Sequence, residues 1–133
     1  MDPVNWSDIS NGALGRRIDA NSKHENVWIL TGGEASGSSA IAKFNAEKKT
    51  WEKDITQPRD AKNQYNSIGV DPQGNPAFVD TNSRIWWKKA GKWVKIDGCA
   101  SRVAFGGDGS LFKTDCSNYV KKYENSEKWT DLG

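Results

Sequence analysis

The stretch that decides the fold runs from Ser67 to Asp80 and reads SIGVDPQGNPAFVD. Its first four residues alternate apolar and small positions, as a half-buried strand does. Asp71 to Asn75 then supply the Asp, Pro, Gly and Asn that favour a tight turn. Ala77 to Asp80 carry the chain back, so this stretch predicts two antiparallel strands joined by a short turn.

The same strand–turn–strand pattern occurs once upstream and once downstream. The upstream copy has strands at 17–20 and 27–30, and the downstream copy has them at 102–105 and 111–114. A further strand follows in each copy, at 40–44, 84–87 and 119–123. No segment has a convincing helical period, so the sequence predicts an all-β chain.

Tryptophan begins each repeat of this pattern. Trp6, Trp51, Trp93 and Trp129 each precede an aliphatic residue and a polar or glycine turn, at spacings of 45, 42 and 36 residues. Four antiparallel strands at such a period are typical of propeller blades. We therefore predict a single repeat domain over residues 1–133, made of three four-stranded antiparallel blades. The approximate units are 6–50, 51–92 and 93–133.

A single β-sandwich or barrel with about twelve short strands is the alternative fold. Such a fold does not require the turn, aromatic and tryptophan landmarks to recur in the same order. Their recurrence therefore favours blades.

Three phrases of the chain, at 66–76, 93–100 and 102–112, resemble tectonin repeats. In that family a unit combines a tryptophan, an aliphatic residue, a glycine, an inner strand and an Asp-Gly or Asp-Pro-x-Gly turn. The match extends over essentially the whole chain and is weaker in the first unit, where His24-Glu25-Asn26 replaces the glycine turn. The resemblance implies a β-propeller, commonly six-bladed, in a family whose members are often sugar-binding lectins or protein-interaction modules.

Three blades supply half of such a ring, and a blade at an open end exposes a sheet face that needs a neighbour. Two explanations follow: the chain self-associates with another copy, or it is a fragment of a longer protein that supplies further blades. Four tryptophan strands accompany only three sets of the other strands. The surplus strand is expected to complete a blade begun at the other terminus or to reach across a dimer junction.

The charge balance excludes several classes of partner. The chain has 19 basic and 17 acidic residues and no basic block, so nucleic acid is not predicted as a partner. No apolar run is long enough to cross a bilayer, so membrane insertion is not predicted. The start, Met1 to Asn5, has no signal-peptide character. A cytoplasmic protein is the default expectation, and a secreted one is expected if the natural chain begins elsewhere.

Catalysis is not predicted. His24 is the only histidine, which excludes a histidine-based triad, dyad or zinc cluster. The carboxylates that fall in turns serve local backbone hydrogen bonds in this interpretation; they are Asp71, Asp80, Asp97, Asp108 and Asp115. We therefore predict no enzyme activity, no metal and no cofactor.

The pair Trp86-Trp87 is the candidate binding feature, because it occurs in only one unit. Neighbouring strand residues face opposite sides, so one ring is expected in the core and the other outward. An exposed tryptophan near Asn82, Arg84 and Lys88 suits stacking on a sugar, with the polar groups reading hydroxyls. The alternative is that both rings pack between blades. The predicted partner is a glycan or a protein.

Cys99 and Cys116 lie at the same end of a predicted hairpin. A disulfide between them is geometrically plausible. Two free thiols in a reducing compartment are the alternative, and the sequence does not separate the two.

Overall fold

The computed structural model describes residues 15–20, 26–31, 41–54, 56–58, 67–125 and 128–133. These residues form strands β1 (Gly15–Ala20), β2 (Val27–Thr31), β3 (Ile41–Asn45), β4 (Thr50–Lys53), β5 (Ser67–Val70), β6 (Pro76–Val79), β7 (Ile85–Lys89), β8 (Lys92–Ile96), β9 (Arg102–Phe105), β10 (Leu111–Thr114), β11 (Val120–Asn125) and β12 (Lys128–Asp131). The described part of the chain contains no helix. The all-β prediction is confirmed.

The strands form three four-stranded antiparallel sheets, each a meander in chain order. We call them blade 1 (β1–β4), blade 2 (β5–β8) and blade 3 (β9–β12). Tight turns join the strands because Asp, Gly and Asn occupy the connections. At Gly74 the backbone has φ 87, and a side chain there would overlap the Asn26 amide, so glycine is required.

Each sheet ends with a tryptophan strand. Trp51 lies in β4, Trp93 in β8 and Trp129 in β12, whereas the sequence units 51–92 and 93–133 begin at the first two. Sheet and sequence unit are therefore offset by one strand. Trp6 lies outside the described residues.

The blades pack face to face, with the inner strand β5 beside both β1 and β9. Between blades 1 and 2 the buried cluster contains Trp28, Leu30, Ile41, Ile68, Val70 and Phe78. Between blades 2 and 3 it contains Ala77, Val79, Ile85, Ile96, Ala100, Val103 and Leu111. Each sheet thus buries apolar side chains against its neighbour, which explains how a chain with 35% hydrophobic residues forms a core.

Strand register defines equivalent positions in the three blades. Phe44 pairs with Trp51, Lys88 with Trp93, and Tyr123 with Trp129. Counting back three residues from the first member of each pair aligns Ile41, Ile85 and Val120. Counting through the inner strands in the same way aligns Ile18, Ile68 and Val103. These alignments show which contacts recur and which are local to one blade.

Candidate functional site

Trp86 and Trp87 point to opposite faces of β7, as expected for neighbouring strand residues. Both rings are half-buried. Trp86 packs against the cluster between blades 1 and 2, and Trp87 against the cluster between blades 2 and 3. The Trp87 ring also lies 5.2 Å from the Phe105 ring of blade 3.

Turn carboxylates hold both indoles. The Trp86 Nε1–H donates to Asp80 Oδ2 at 2.9 Å, and the Trp87 Nε1–H donates to Asp71 Oδ2 at 3.1 Å. The other carboxylate oxygen of Asp80 accepts the backbone N–H groups of Asn82 and Arg84. One carboxylate therefore closes its turn and orients a ring. Such charge-assisted bonds are the stronger class.

The Asp80–Trp86 contact has a counterpart in blade 3. There Asp115 Oδ1 accepts the N–H groups of Ser117 and Tyr119, and Asp115 Oδ2 lies 3.2 Å from Lys121 Nζ. Lys121 stands six residues after Asp115, as Trp86 does after Asp80. The contact between the turn carboxylate and the residue six positions later therefore occurs in both blades, although that residue is a tryptophan in one and a lysine in the other. A comparison of residue types alone does not reveal this equivalence.

Lysine side chains cover the faces of these tryptophans. Lys89 Nζ lies 4.4 Å from the Trp87 ring centroid, and Lys95 Nζ lies 5.9 Å from that of Trp86. Both distances are in the range of cation–π contact. A ligand that stacks on either ring must displace the lysine that covers it or bind that lysine as well.

Lys88 makes an ion pair between blades. Its Nζ lies 2.6 Å from Asp54 Oδ2, just after β4. Burial raises the pKa of Asp54, but hydrogen bonds from Lys88 and Thr56 outweigh burial and lower it below its ordinary value. The Lys88 ammonium is therefore paired with a carboxylate of the protein itself.

Asn82 and Arg84 lie in the exposed turn before β7, whereas Lys88 lies near the other end of that strand. A strand rises about 3.3 Å per residue, so the turn and Lys88 are more than 10 Å apart along the strand. The structure thus places the five sequence-predicted site residues along the whole of β7 rather than around one point.

A concave surface lies at the β3–β4 end of blade 1. It has a volume of about 330 Å³ and is lined by Asn26, Lys43, Phe44, Asn45, Ala46, Glu47 and Glu52. The half-buried Phe44 ring is fixed by Trp51, at a centroid distance of 5.1 Å. Sequence reasoning missed this site, although a turn asparagine beside a cross-strand aromatic pair is a signal that could have indicated it.

Asn45 organises the polar side of this concave surface. Its Oδ1 accepts the backbone N–H groups of Glu47 and Lys48, and its Nδ2 donates to Glu52 Oε1 at 2.7 Å. Glu52 and Asn26 both line the concave surface. The surface therefore offers fixed amide and carboxylate groups, while the register places the Phe44 ring with Trp51 on the opposite face of the hairpin.

Cys99 and Cys116 form a disulfide in the structure, with Cα atoms 5.5 Å apart. It joins the segment before β9 to the turn after β10. Both residues are exposed. Whether the natural protein carries this bond in its compartment stays a prediction.

Among the described residues, no group of three or more His, Cys, Asp or Glu side chains could hold a metal ion. Those residues also include no helix long and apolar enough to span a membrane. His24 lies outside the described residues.

The fold resembles those of solved β-propellers. YCF48 bound to D1 peptide superposes with a TM-score of 0.67 at 15% identity, over 90% of this chain and 41% of that one. A gluconolactonase from Xanthomonas campestris superposes with a TM-score of 0.61 at 9% identity, over 91% of this chain and 48% of that one. This chain therefore spans less than half the length of either. At these identities the likeness shows the fold alone.

A fucose lectin from Kordia zhangzhouensis in complex with methyl-fucoside gives a TM-score of 0.43 at 10% identity, over 86% of this chain and 94% of that one. This likeness is too low to carry an argument. No protein-family model and no curated protein sequence matches the chain. The blades are those of a β-propeller, and the tectonin resemblance stays a prediction.

Proposed function

We propose that this protein is a non-catalytic binding module that recognises carbohydrate. The observation that carries the proposal is the concave surface on blade 1. Sugars present apolar C–H faces and a rim of hydroxyls, and they bind where an aromatic ring lies beside a few fixed polar groups. Asn26 and Glu52 supply planar groups for hydroxyls there, and Phe44 is among the residues that line the surface.

The sequence-predicted residues on β7 form a second candidate location for the sugar: Asn82, Arg84, Trp86, Trp87 and Lys88. In its favour, carboxylate hydrogen bonds hold both indoles in fixed orientations. A rigid aromatic ring loses little conformational entropy when a ligand stacks on it.

The proposal includes no enzyme activity. Three of the five turn carboxylates that a sequence scan would consider for acid–base chemistry are engaged by the protein itself. Asp71, Asp80 and Asp115 each bind backbone N–H groups with one oxygen and a side chain with the other. Such carboxylates serve the turns and the rings rather than a substrate.

A structural or protein-interaction propeller is the second candidate function, and the two end blades favour it. Ile18 on blade 1 is 65% exposed, whereas the equivalent Ile68 is 8% exposed. Val120 on blade 3 is 41% exposed, whereas the equivalent Ile85 is fully buried. One position that a neighbouring blade covers inside the molecule is thus open on each end blade, although Ile29 and Ala42 on the same face as Ile18 are buried. We propose that self-association covers these open positions, or else further blades of a longer polypeptide.

A glycan array with the native protein tests the carbohydrate proposal, followed by Glu52→Gln titrated against whichever glycan binds. The variant keeps the bond from Asn45 but loses the charge, and we expect about a tenfold weaker Kd for one lost charged hydrogen bond. Glu124→Gln is the matched control, because Glu124 is an exposed carboxylate on the equivalent hairpin of blade 3.

The same titration locates the site. Loss of binding in Glu52→Gln assigns the sugar to blade 1. Loss in Trp87→Ala or Trp86→Ala, with Glu52→Gln unchanged, assigns it to β7. No binding across neutral and acidic glycans by assembled protein would count against carbohydrate recognition altogether.

A further inference from the structure

The hairpin β7–β8 of blade 2 carries an unbalanced positive charge. Residues 85–96 read IWWKKAGKWVKI, with four lysines and no carboxylate. Lys88 is neutralised by Asp54. Lys89, Lys92 and Lys95 are exposed and form no ion pair within the described part of the chain.

Two of these lysines face each other across the strands. Lys89 pairs directly with Lys92 in the β7–β8 ladder. Like charges in directly opposite positions destabilise a sheet. The contact of Lys89 with the Trp87 ring offsets part of this cost, but Lys92 forms no ion pair within the described residues, which points to a role outside folding.

The equivalent hairpins of the other blades contain carboxylates. In blade 1, Glu52 accepts from Asn45. In blade 3, Glu124 accepts from Thr130 Oγ1 at 2.9 Å, and Asp131 stands where blade 2 has Lys95. A hairpin of this repeat therefore folds with balanced charge, and the excess of lysine is local to blade 2.

The tip of the β7–β8 hairpin, where Lys89 and Lys92 lie, is at the same end of its sheet as the concave surface of blade 1 is of its own. In a meander, the first and third turns of a sheet lie at one end. The Trp28 Nε1–H donates to the Gly74 oxygen at 3.1 Å, which joins the β1–β2 end of blade 1 to the β5–β6 turn of blade 2. The β3–β4 and β7–β8 turns therefore lie at the same end of their sheets.

We propose that Lys89 and Lys92 on one face of the β7–β8 hairpin, and Lys95 on the other face, bind the negative groups of an acidic polysaccharide that runs along this hairpin, with carboxylate or sulfate on its sugars. The inference rests on the proposed carbohydrate function and adds the class of glycan. The Trp87 ring beneath Lys89 provides an apolar surface for its sugars.

An acidic glycan fits better than a nucleic acid. Duplex DNA carries one charge per roughly 1.7 Å and requires a continuous basic surface. Here the neighbouring hairpins present Glu47, Glu52 and Glu124, and the whole chain has a net charge of only +2. A glycan with one charge per sugar residue or fewer can match three lysines without meeting these carboxylates.

Binding of immobilised polygalacturonate, with neutral dextran as reference, tests the inference. We expect salt-dependent binding that Lys92→Gln/Lys95→Gln weakens by about tenfold or more, with a shallower salt dependence. The control Lys122→Gln/Lys128→Gln removes the same charge from the equivalent hairpin of blade 3 and is expected to retain binding.

Lys92→Glu separates binding from folding. It replaces the Lys89–Lys92 repulsion by an attraction, so its melting temperature is expected to be equal to or higher than that of the wild type while polygalacturonate binding is lost. If both double variants lose polygalacturonate binding equally, the binding is an unspecific attraction to positive charge and the inference fails. A lysine-dependent complex with duplex DNA that is equally tight would overturn the assignment to glycan. If neutral sugars bind through Glu52 while polygalacturonate does not bind, this inference fails and the proposed function stands.

Discussion

Lys113 lies in β10 at a position where the other blades bury a hydrophobic residue. The register aligns it with Ile29 in β2 and Phe78 in β6. The residue is only 5% exposed, and its Nζ lies 4.1 Å from the Trp129 ring centroid. Burial lowers the pKa of the Lys113 ammonium, the nearby Lys121 lowers it further, and Asp115 partly opposes both. The amine therefore costs the fold stability when it is protonated.

We expect Lys113→Met to raise the free energy of unfolding at neutral pH by about 1 kcal/mol, because a buried charge is replaced by an apolar chain of similar length. The folded-state pKa of Lys113 lies below its unfolded value, so the penalty is full below the folded pKa. It disappears as pH rises through the unfolded pKa.

Thermal melts of wild type and Lys113→Met between neutral and alkaline pH check this expectation. The gap between the two curves should narrow as pH rises. A variant less stable than the wild type at neutral pH would mean that the contact with Trp129 outweighs the burial of charge.

At the scale of elements, the open end of the β9–β10 hairpin of blade 3 is held by hydrogen bonds and by a disulfide. Ser101 N–H donates to the Thr114 oxygen at 2.8 Å, and the two side-chain hydroxyls lie 2.7 Å apart. The Cys99–Cys116 disulfide lies beyond this pair at the same end. The hydrogen bonds already hold the two segments side by side, so the disulfide adds a covalent link to a geometry that the hairpin itself provides.

We expect Cys99→Ser/Cys116→Ser to fold into the same sheet and to lose about 3 kcal/mol in the free energy of unfolding on the chain-entropy estimate. Peptide mass spectrometry without reductant should show the linked peptide in protein matured in an oxidising compartment. Two alkylatable thiols in freshly prepared native protein would contradict it and favour a reducing compartment. Ser101→Ala is the control, since it removes the hydroxyl contact but not the link.

At the scale of the whole molecule, the two end blades differ from the middle one in what covers them. Blade 2 has a neighbour on both faces, whereas Ile18 and Val120 mark the open faces of blades 1 and 3. The open area on blade 1 centres on β1, because Ile29 and Ala42 on the same face are buried. A ring of six blades from two copies would repeat one junction twice, from blade 3 of each copy to blade 1 of the other.

We expect multi-angle light scattering to show a dimer, with Ile18→Lys and Val120→Lys shifting it toward monomer, because a charge replaces an apolar group in the new junction. Val94→Lys is the matched control: Val94 is also 41% exposed but lies on the outer hairpin strand β8. A stable wild-type monomer would mean that the copies do not pair. In that case further blades of a longer chain become the remaining way to complete the ring.

The sequence by itself determined the strands, the turns and their repetition. These features depend on local causes: alternation of side chains along a strand, and Asp, Gly and Asn in the connections. The order SIGV, DPQGN, PAFVD is sufficient to predict β5, its turn and β6, and the repeats extend the prediction to three sheets. The sequence did not predict that each sheet is offset by one strand from the sequence unit. A tryptophan strand can pair with the strand before it or with the strand after it, and the pairing of β4 with β3 is seen only in the structure.

Only the tertiary structure decided what the candidate site residues do. Trp87 is held by Asp71, 16 residues away, and Lys88 by Asp54 of another blade, 34 residues away. The concave surface of blade 1 likewise brings Asn26 beside Glu52. Such contacts depend on the register between strands and on how one sheet stacks on the next. Local residue preferences do not encode either, because both are set by the summed packing of whole faces.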